Sequence, residues 1–229
     1  MMVGVIGNQQ SEQREIELKS LIAKLPPNPV VLEVGTWFGL GSTKTFLRGL
    51  PTGASLFLCD QWEAFVSERD KSLVKKDWKH GENTTTRMGK VTHLAFLHTI
   101  KQVRNSQSKG KIEVNILKGK SRDILSSLKE NYFNLIYLDG SHYYHDVKKD
   151  ILESKRIVYK DGGIICGDDL EKYPSKKLVE EAESHLDEDF VNGYHPGVLL
   201  SVSEEFARVN MVNGFWWVYC IDGEFRNTI

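Results

Sequence analysis

The 229-residue sequence has no surplus of charge of either sign: 30 Lys and Arg residues face 31 Asp and Glu, for a formal net charge of −1. A protein that grips phosphate backbones needs a basic footprint, so nucleic acid is not expected among its partners. Cysteine is scarce. Cys59, Cys166 and Cys220 lie far apart without CxxC spacing, two of them inside apolar runs, and read as reduced core residues rather than a disulfide framework or zinc site. Long apolar runs are missing too. None approaches the roughly 18 residues of a membrane-spanning helix, and the N-terminus shows neither a basic n-region nor an apolar h-region. A cytoplasmic protein without a membrane partner is expected. No repeat, low-complexity tract or linker divides the chain, and its length suffices to bury a core without staples, so residues 1–229 are expected to form one domain.

What is present is an α/β pattern. Short runs rich in Val, Ile, Leu and Phe alternate with helical or polar stretches, as buried parallel strands and their crossovers do. A first helix is expected over residues 11–25, where Leu18, Leu21, Ile22 and Leu25 share one face before Pro26-Pro27 stops it. Strands follow at 30–34, 55–59, 112–117, 133–138 and 163–166, each closed by a polar or glycine-containing turn. In an open parallel sheet, ligands sit beyond the carboxyl ends of the strands. The tail departs from this rhythm: 207–212 and 215–220 flank Asn213-Gly214, a strong signal for a two-residue hairpin and an antiparallel pair. Between Gln61 and Arg104 no strand-like run occurs, and Phe96, Ile100 and Val103 repeat at helical spacing. This insertion, 61–104, is expected to cap the site and choose the substrate. An exposed face of the first helix or of the cap is available to pair subunits into a homo-oligomer.

The first strand leads into Glu33-Val34-Gly35-Thr36-Trp37-Phe38-Gly39-Leu40-Gly41-Ser42. Glycines there let the backbone turn tightly and approach a ligand, and the helix that follows offers its N-terminus to polar groups. The spacing is not GxGxxG, and an acidic Glu33 suits a cationic amino-acid ligand better than a pyrophosphate. Gly35, Thr36, Gly39 and Ser42 are expected to line that ligand. Asp60 closes the second strand, where a carboxylate accepts hydrogen bonds from both ribose hydroxyls of an adenosine-bearing cofactor. Trp62 stands two residues on, placed to cover adenine, and Ser121 in Lys118-Gly119-Lys120-Ser121 closes the third strand near the adenine edge.

On these residues the chain resembles class I S-adenosylmethionine-dependent methyltransferases. Within them it is similar to small-molecule and sugar O-methyltransferases of the macrocin and cephalosporin-tailoring type, methyltransferase family 24. EVGTWFGLGS, CDQW, LKGKSRDIL, YLDGSH and ICGDDL match the successive strand ends, and the similarity runs from about Val30 to the C-terminus. The resemblance implies a Rossmann-like, doubly wound sheet of seven strands in the order 3-2-1-4-5-7-6 with strand seven antiparallel. It also implies S-adenosylmethionine as cofactor and a small-molecule or sugar acceptor.

Asp139 ends the fourth strand, and Asp168 and Asp169 follow the fifth. Adjacent parallel strands lie about 4.8 Å apart, so the three carboxylates should converge and repel unless a proton or cation joins them. An all-oxygen set favours a hard ion such as Mg2+. The resemblance agrees, because metal-dependent relatives hold a divalent ion at these positions, although here the pair is Asp-Asp where some have Glu-Asp. The same relatives place a general base at the position of His142, three residues beyond Asp139. The expected mechanism has the ion hold two vicinal acceptor oxygens, while His142 removes a proton from one of them. Asp139 and His142 are thus the candidate catalytic residues, and His195 opens a later helix near the same face.

Two other readings compete. Tyr144 and Lys148 match the YxxxK pair of short-chain NAD(P) oxidoreductases, yet the serine expected about a dozen residues upstream has no candidate where Asn131 and Tyr132 stand. A non-catalytic nucleoside-binding protein would share the cofactor residues without turning anything over. A P-loop at Gly119-Lys120-Ser121 is excluded, because Val114 holds the place of its first glycine.

Overall fold

The computed structural model describes residues 11–63, 84–107 and 111–228. The expected cap falls partly outside them, and its described later part is a helix. In chain order the elements are α1 (Glu12–Ile22), β1 (Val30–Val34), α2 (Ser42–Gly49), β2 (Ser55–Asp60), α3 (Thr84–Gln107), β3 (Glu113–Lys118), α4 (Ser121–Leu125), β4 (Leu135–Leu138), α5 (Tyr144–Ile157), β5 (Gly163–Leu170), α6 (Lys176–Ala182), α7 (Pro196–Glu205), β6 (Asn210–Val212), β7 (Gly214–Ile221) and β8 (Glu224–Arg226).

The strands form one sheet in the order β3-β2-β1-β4-β5-β7-β6, parallel except for β7 and the short strands beside it. This is the expected topology. β8 adds an eighth strand, pairing with the far half of the edge of β7 that β6 begins to cover. The hairpin turn has the expected form, with Asn213 and Gly214 both at positive φ, 50° and 86°, as a two-residue type I′ turn requires.

Helices pack on both faces. On one, Leu18, Leu21 and Ile22 of α1, Phe46 of α2 and Val103 of α3 cover Val31, Leu56 and Leu135. On the other, Val147 and Ile151 of α5 and Val198 and Leu199 of α7 cover Leu32, Ile136 and Ile165. Each such side chain is worth roughly 1.5–3 kcal/mol of burial. α1 begins where Ser11 accepts the Arg14 N–H, and it ends at Ile22 rather than Leu25. There the chain tightens into i→i−3 bonds before Pro26. Cys59, Cys166 and Cys220 are buried free thiols. No helix among the described residues is long and apolar enough to cross a membrane.

The register positions the ligand edge. Val34 pairs with Cys59 and with Leu138, and Leu138 pairs with Gly167. Gly35, Asp60, Asp139 and Asp168 therefore each lie one residue beyond this line. β5, however, does not stop at residue 166. It continues to Leu170 against Gly214, with a register shift between Gly167 and Leu170. Asp168 and Asp169 occupy that irregularity, and Asp169 has φ +64°, an orientation asparagine and aspartate tolerate better than most residues. A bulge re-aims the side chains it carries.

Candidate active site

The turn after β1 admits no side chain at its first glycine. Gly35 has φ +87°, and a Cβ there would sit 1.7 Å from the Asp139 carbonyl oxygen. The glycine turn and the end of β4 are thus in direct backbone contact. Within the turn, the Thr36 hydroxyl is buried without a partner, an unusual cost unless a ligand supplies one. Glu33 is fully buried, accepting bonds from Ser42 Oγ at 2.5 Å and Thr43 Oγ1 at 2.8 Å. Burial pushes its pKa up to about 8 against these bonds. Glu33 and Ser42 therefore fasten the start of α2 to β1, behind the turn that faces the ligand edge.

Asp60 is used in a similar way. Its Oδ2 accepts the backbone N–H of Thr36 at 2.8 Å and of Trp37 at 2.7 Å, and its Oδ1 accepts that of Trp62 at 2.5 Å. Two of these bonds tie the end of β2 to the glycine turn, and the third holds the backbone that follows β2. A carboxylate offers about four lone-pair sites. Trp62 is not at the surface: it is fully buried, its indole N–H donates to the Trp37 carbonyl at 2.8 Å, and it packs with Phe38, Ala95 and Phe96. Ser121 heads α4 at the expected strand end, half-buried, with its hydroxyl bonded to the buried carboxyl of Asp150 on α5.

On the other side of the Gly35 contact the charges of Asp168 and Asp169 are felt at Asp139, and the two carboxylates meet partners from distant parts of the chain. Arg14 of α1 lies 2.7 Å from Asp168 and 3.8 Å from Asp169, and it also donates from Nε to the Asn213 carbonyl at 2.8 Å. His142 sits between two carboxylates: Nε2 lies 3.0 Å from Asp169 Oδ2 and Nδ1 2.7 Å from Asp189 Oδ1. Burial alone would lower the His142 pKa, but Asp169 and then Asp189 outweigh it and hold the value well above the usual imidazole range. Burial raises Asp139 well above the ordinary carboxylate range, with Asp169 and Asp168 adding to it. Asp168 is raised to about 6 by burial and Asp169, against the pull of Arg14.

His195 completes the cluster. Its ring lies 4.3 Å from that of His142, and its Nδ1 is 2.8 Å from Glu171. The two rings meet because α7 starts hard against the turn after β4: a Cβ on Gly197 would lie 2.2 Å from the His142 carbonyl oxygen. The sequence expectation placed His195 near this face but missed Arg14, Asp189 and Glu171, whose partners are remote in the chain. Tyr144 and Lys148, by contrast, are bonded to Glu204 at 2.8 and 2.7 Å. They clamp α5 to α7, and the YxxxK spacing has no catalytic counterpart.

Sheet order, glycine turn and acidic strand ends together define the fold of class I S-adenosylmethionine-dependent methyltransferases. The chain belongs to methyltransferase family 24, whose profile, described as a methyltransferase domain, matches residues 32–170. It is accordingly a methyltransferase. Among solved structures it is similar to the O-methyltransferase TomG from Streptomyces achromogenes, involved in tomaymycin synthesis and solved with S-adenosylmethionine. Identity is 16% and TM-score 0.55 over 92% of this chain and 81% of that one. An O-methyltransferase from Bacillus cereus, solved with S-adenosylhomocysteine, gives 16% and 0.53 over 95% and 84%. CalS11, a TDP-rhamnose 3′-O-methyltransferase of calicheamicin biosynthesis, gives 14% and 0.52 over 90% and 76%. At these identities the likeness is one of fold. No curated protein sequence matches the chain.

Proposed function

We propose that this chain transfers the methyl group of S-adenosylmethionine to a hydroxyl oxygen of a small-molecule or sugar acceptor. The observation that carries the reading is the Gly35–Asp139 contact, which sets a cofactor turn directly beside a cluster of proton-binding side chains. The cofactor fits the turn. The Thr36 hydroxyl, without a partner among the described residues, suits a polar ligand lying on the backbone, and Asp60 keeps a lone pair for a ribose hydroxyl.

The acceptor stands on the far side of Asp139. Its hydroxyl gives its proton to the Asp139 carboxylate, and the oxygen attacks the sulfonium methyl in line, with positioning supplying much of the rate. Both ring nitrogens of His142 are bonded to carboxylates, and Asp189 and Asp169 fix its ring against the acceptor.

The Mg2+ expected at Asp139, Asp168 and Asp169 does not fit these side chains as they are arranged. Arg14 already supplies a positive charge to Asp168 and Asp169. The reading further includes a cytoplasmic, single-domain protein whose 61–104 segment caps the site and selects the acceptor, with no nucleic-acid or membrane partner. Near-balanced charge supports that choice of partner.

The test is methyl transfer from labelled S-adenosylmethionine to a panel of nucleotide sugars and catechol-like diols. Asp139→Asn should lower kcat by roughly 10²- to 10⁴-fold while S-adenosylhomocysteine still binds by calorimetry. No affinity for S-adenosylhomocysteine, or full activity in Asp139→Asn, would sink the reading.

A further inference from the structure

The acceptor-side cluster holds a donor set that the row of acidic residues does not announce. His142, Asp169 and His195 each bring one ligating atom to a common point, all within 4.8 Å of one another. Nδ1 of His142 is engaged by Asp189 at 2.7 Å and Nδ1 of His195 by Glu171 at 2.8 Å. Both rings therefore present Nε2 inward while an outer carboxylate fixes their tautomer. Metal-ligating histidines are held and made more basic by this same outer-shell bond. Glu171 also accepts the His195 backbone N–H at 3.2 Å, which pins the ring's origin as well as its edge. Asp169 reaches the same point only because the β5 irregularity turns it there.

We propose that His142 Nε2, His195 Nε2 and Asp169 Oδ2 bind a divalent first-row transition ion of the Zn2+ or Fe2+ kind, in preference to Mg2+. Two imidazoles and one carboxylate suit such ions, whereas Mg2+ is bound through oxygen. Three ligands from the protein leave coordination positions open to an acceptor oxygen or water. Bonds of about 2.1 Å put tetrahedral ligands roughly 3.4 Å apart. His142 Nε2 and Asp169 Oδ2 already stand at 3.0 Å, and His195 closes the remaining gap. Arg14 does not compete for the same atom, since its contact with Asp169 is to Oδ1. The inference rests on the methyl-transfer reading and deepens it. The ion would sit on the acceptor side, His142 would serve as a ligand, and Asp139 would remain the group that takes the proton.

The test needs neither cofactor nor acceptor. The full chain, stripped with a chelator, is titrated with Co2+, followed by its visible d–d bands, and with Zn2+ by calorimetry, Mg2+ being present in roughly 100-fold excess. One ion per chain is expected, undisturbed by Mg2+. His195→Ala should weaken binding at least about 100-fold, and Glu171→Gln, which keeps all three ligands, by roughly 10- to 100-fold. S-adenosylhomocysteine titrated into the same proteins reports folding and the cofactor site separately. No Co2+ or Zn2+ binding, displacement of Co2+ by equimolar Mg2+, or unchanged affinity in both variants overturns the proposal. S-adenosylhomocysteine binding retained in that case leaves the methyltransferase reading in place. Metal binding without S-adenosylhomocysteine binding does the reverse.

Discussion

The ligand edge of the sheet buries carboxylates on both sides of Gly35, but the two sides satisfy them differently. On the cofactor side, Glu33 and Asp60 are held by hydroxyls and backbone N–H groups of the glycine turn and the helix it opens. On the acceptor side, Asp168 and Asp169 are held by Arg14 from the first helix and by a histidine from the turn after β4. The first arrangement is local and neutral in its partners, and it stiffens a turn. The second is assembled from ionic side chains of several segments, and a ligand or ion can enter it by replacing one partner with another. On the proposed reading, binding precision and chemical reactivity are assigned to different strands.

The sharpest way to break the comparison is at the seam. Gly35→Ala drives a Cβ into the Asp139 carbonyl at positive φ and should cost roughly 5 kcal/mol of stability in urea unfolding, at the extreme of single substitutions. A small loss would mean that the two sides are not in rigid contact.

Next comes the pH dependence of the cofactor side. Glu33 has a folded pKa of about 8, above its unfolded value of about 4.3. Its contribution to stability is therefore complete below roughly pH 4 and lost as pH rises toward 8, amounting to roughly 5 kcal/mol. Glu33→Gln removes this dependence. Its unfolding free energy should gain on that of the wild type across that range, and a constant gap between the two curves would show that Glu33 is ionised in the fold.

Smaller again is the acceptor-side ion pair. Arg14→Met leaves Asp168, whose side chain is 2% exposed, without its cation and should cost roughly 3 kcal/mol. Adding Asp168→Asn should recover most of that loss, and a double-mutant cycle measures the coupling. Additive losses would mean that Arg14 and Asp168 stabilise the fold independently.

The same contrast explains how far the sequence could be read. Strand positions, the Asn213-Gly214 turn and the sheet order follow from apolar periodicity, turn chemistry and family resemblance, all of which are written locally. Gly35, Asp60 and Ser121 were legible because strand ends fix their place. What was not legible depends on long-range meeting. Arg14 finds Asp168 across most of the chain, and His195 finds His142 only because Gly197 lets α7 approach the turn after β4. The burial of Trp62 is hidden for a related reason, since the side chains of α3 that enclose it lie far along the chain. The end of β5 was set too early because its last residues carry charge, and only pairing with Gly214 of β7 reveals them as strand.

β7 carries one more lesson. Its outer flank is divided between β6 and β8, three residues each, which are joined to its two opposite ends by the turns at Asn213-Gly214 and Asp222-Gly223. A stray polypeptide seeking to prolong the sheet on that flank would find only two stubs, too short to template a stable cross-chain ladder. The long apolar strand Gly214–Ile221 is thus shielded at both margins by its own neighbours.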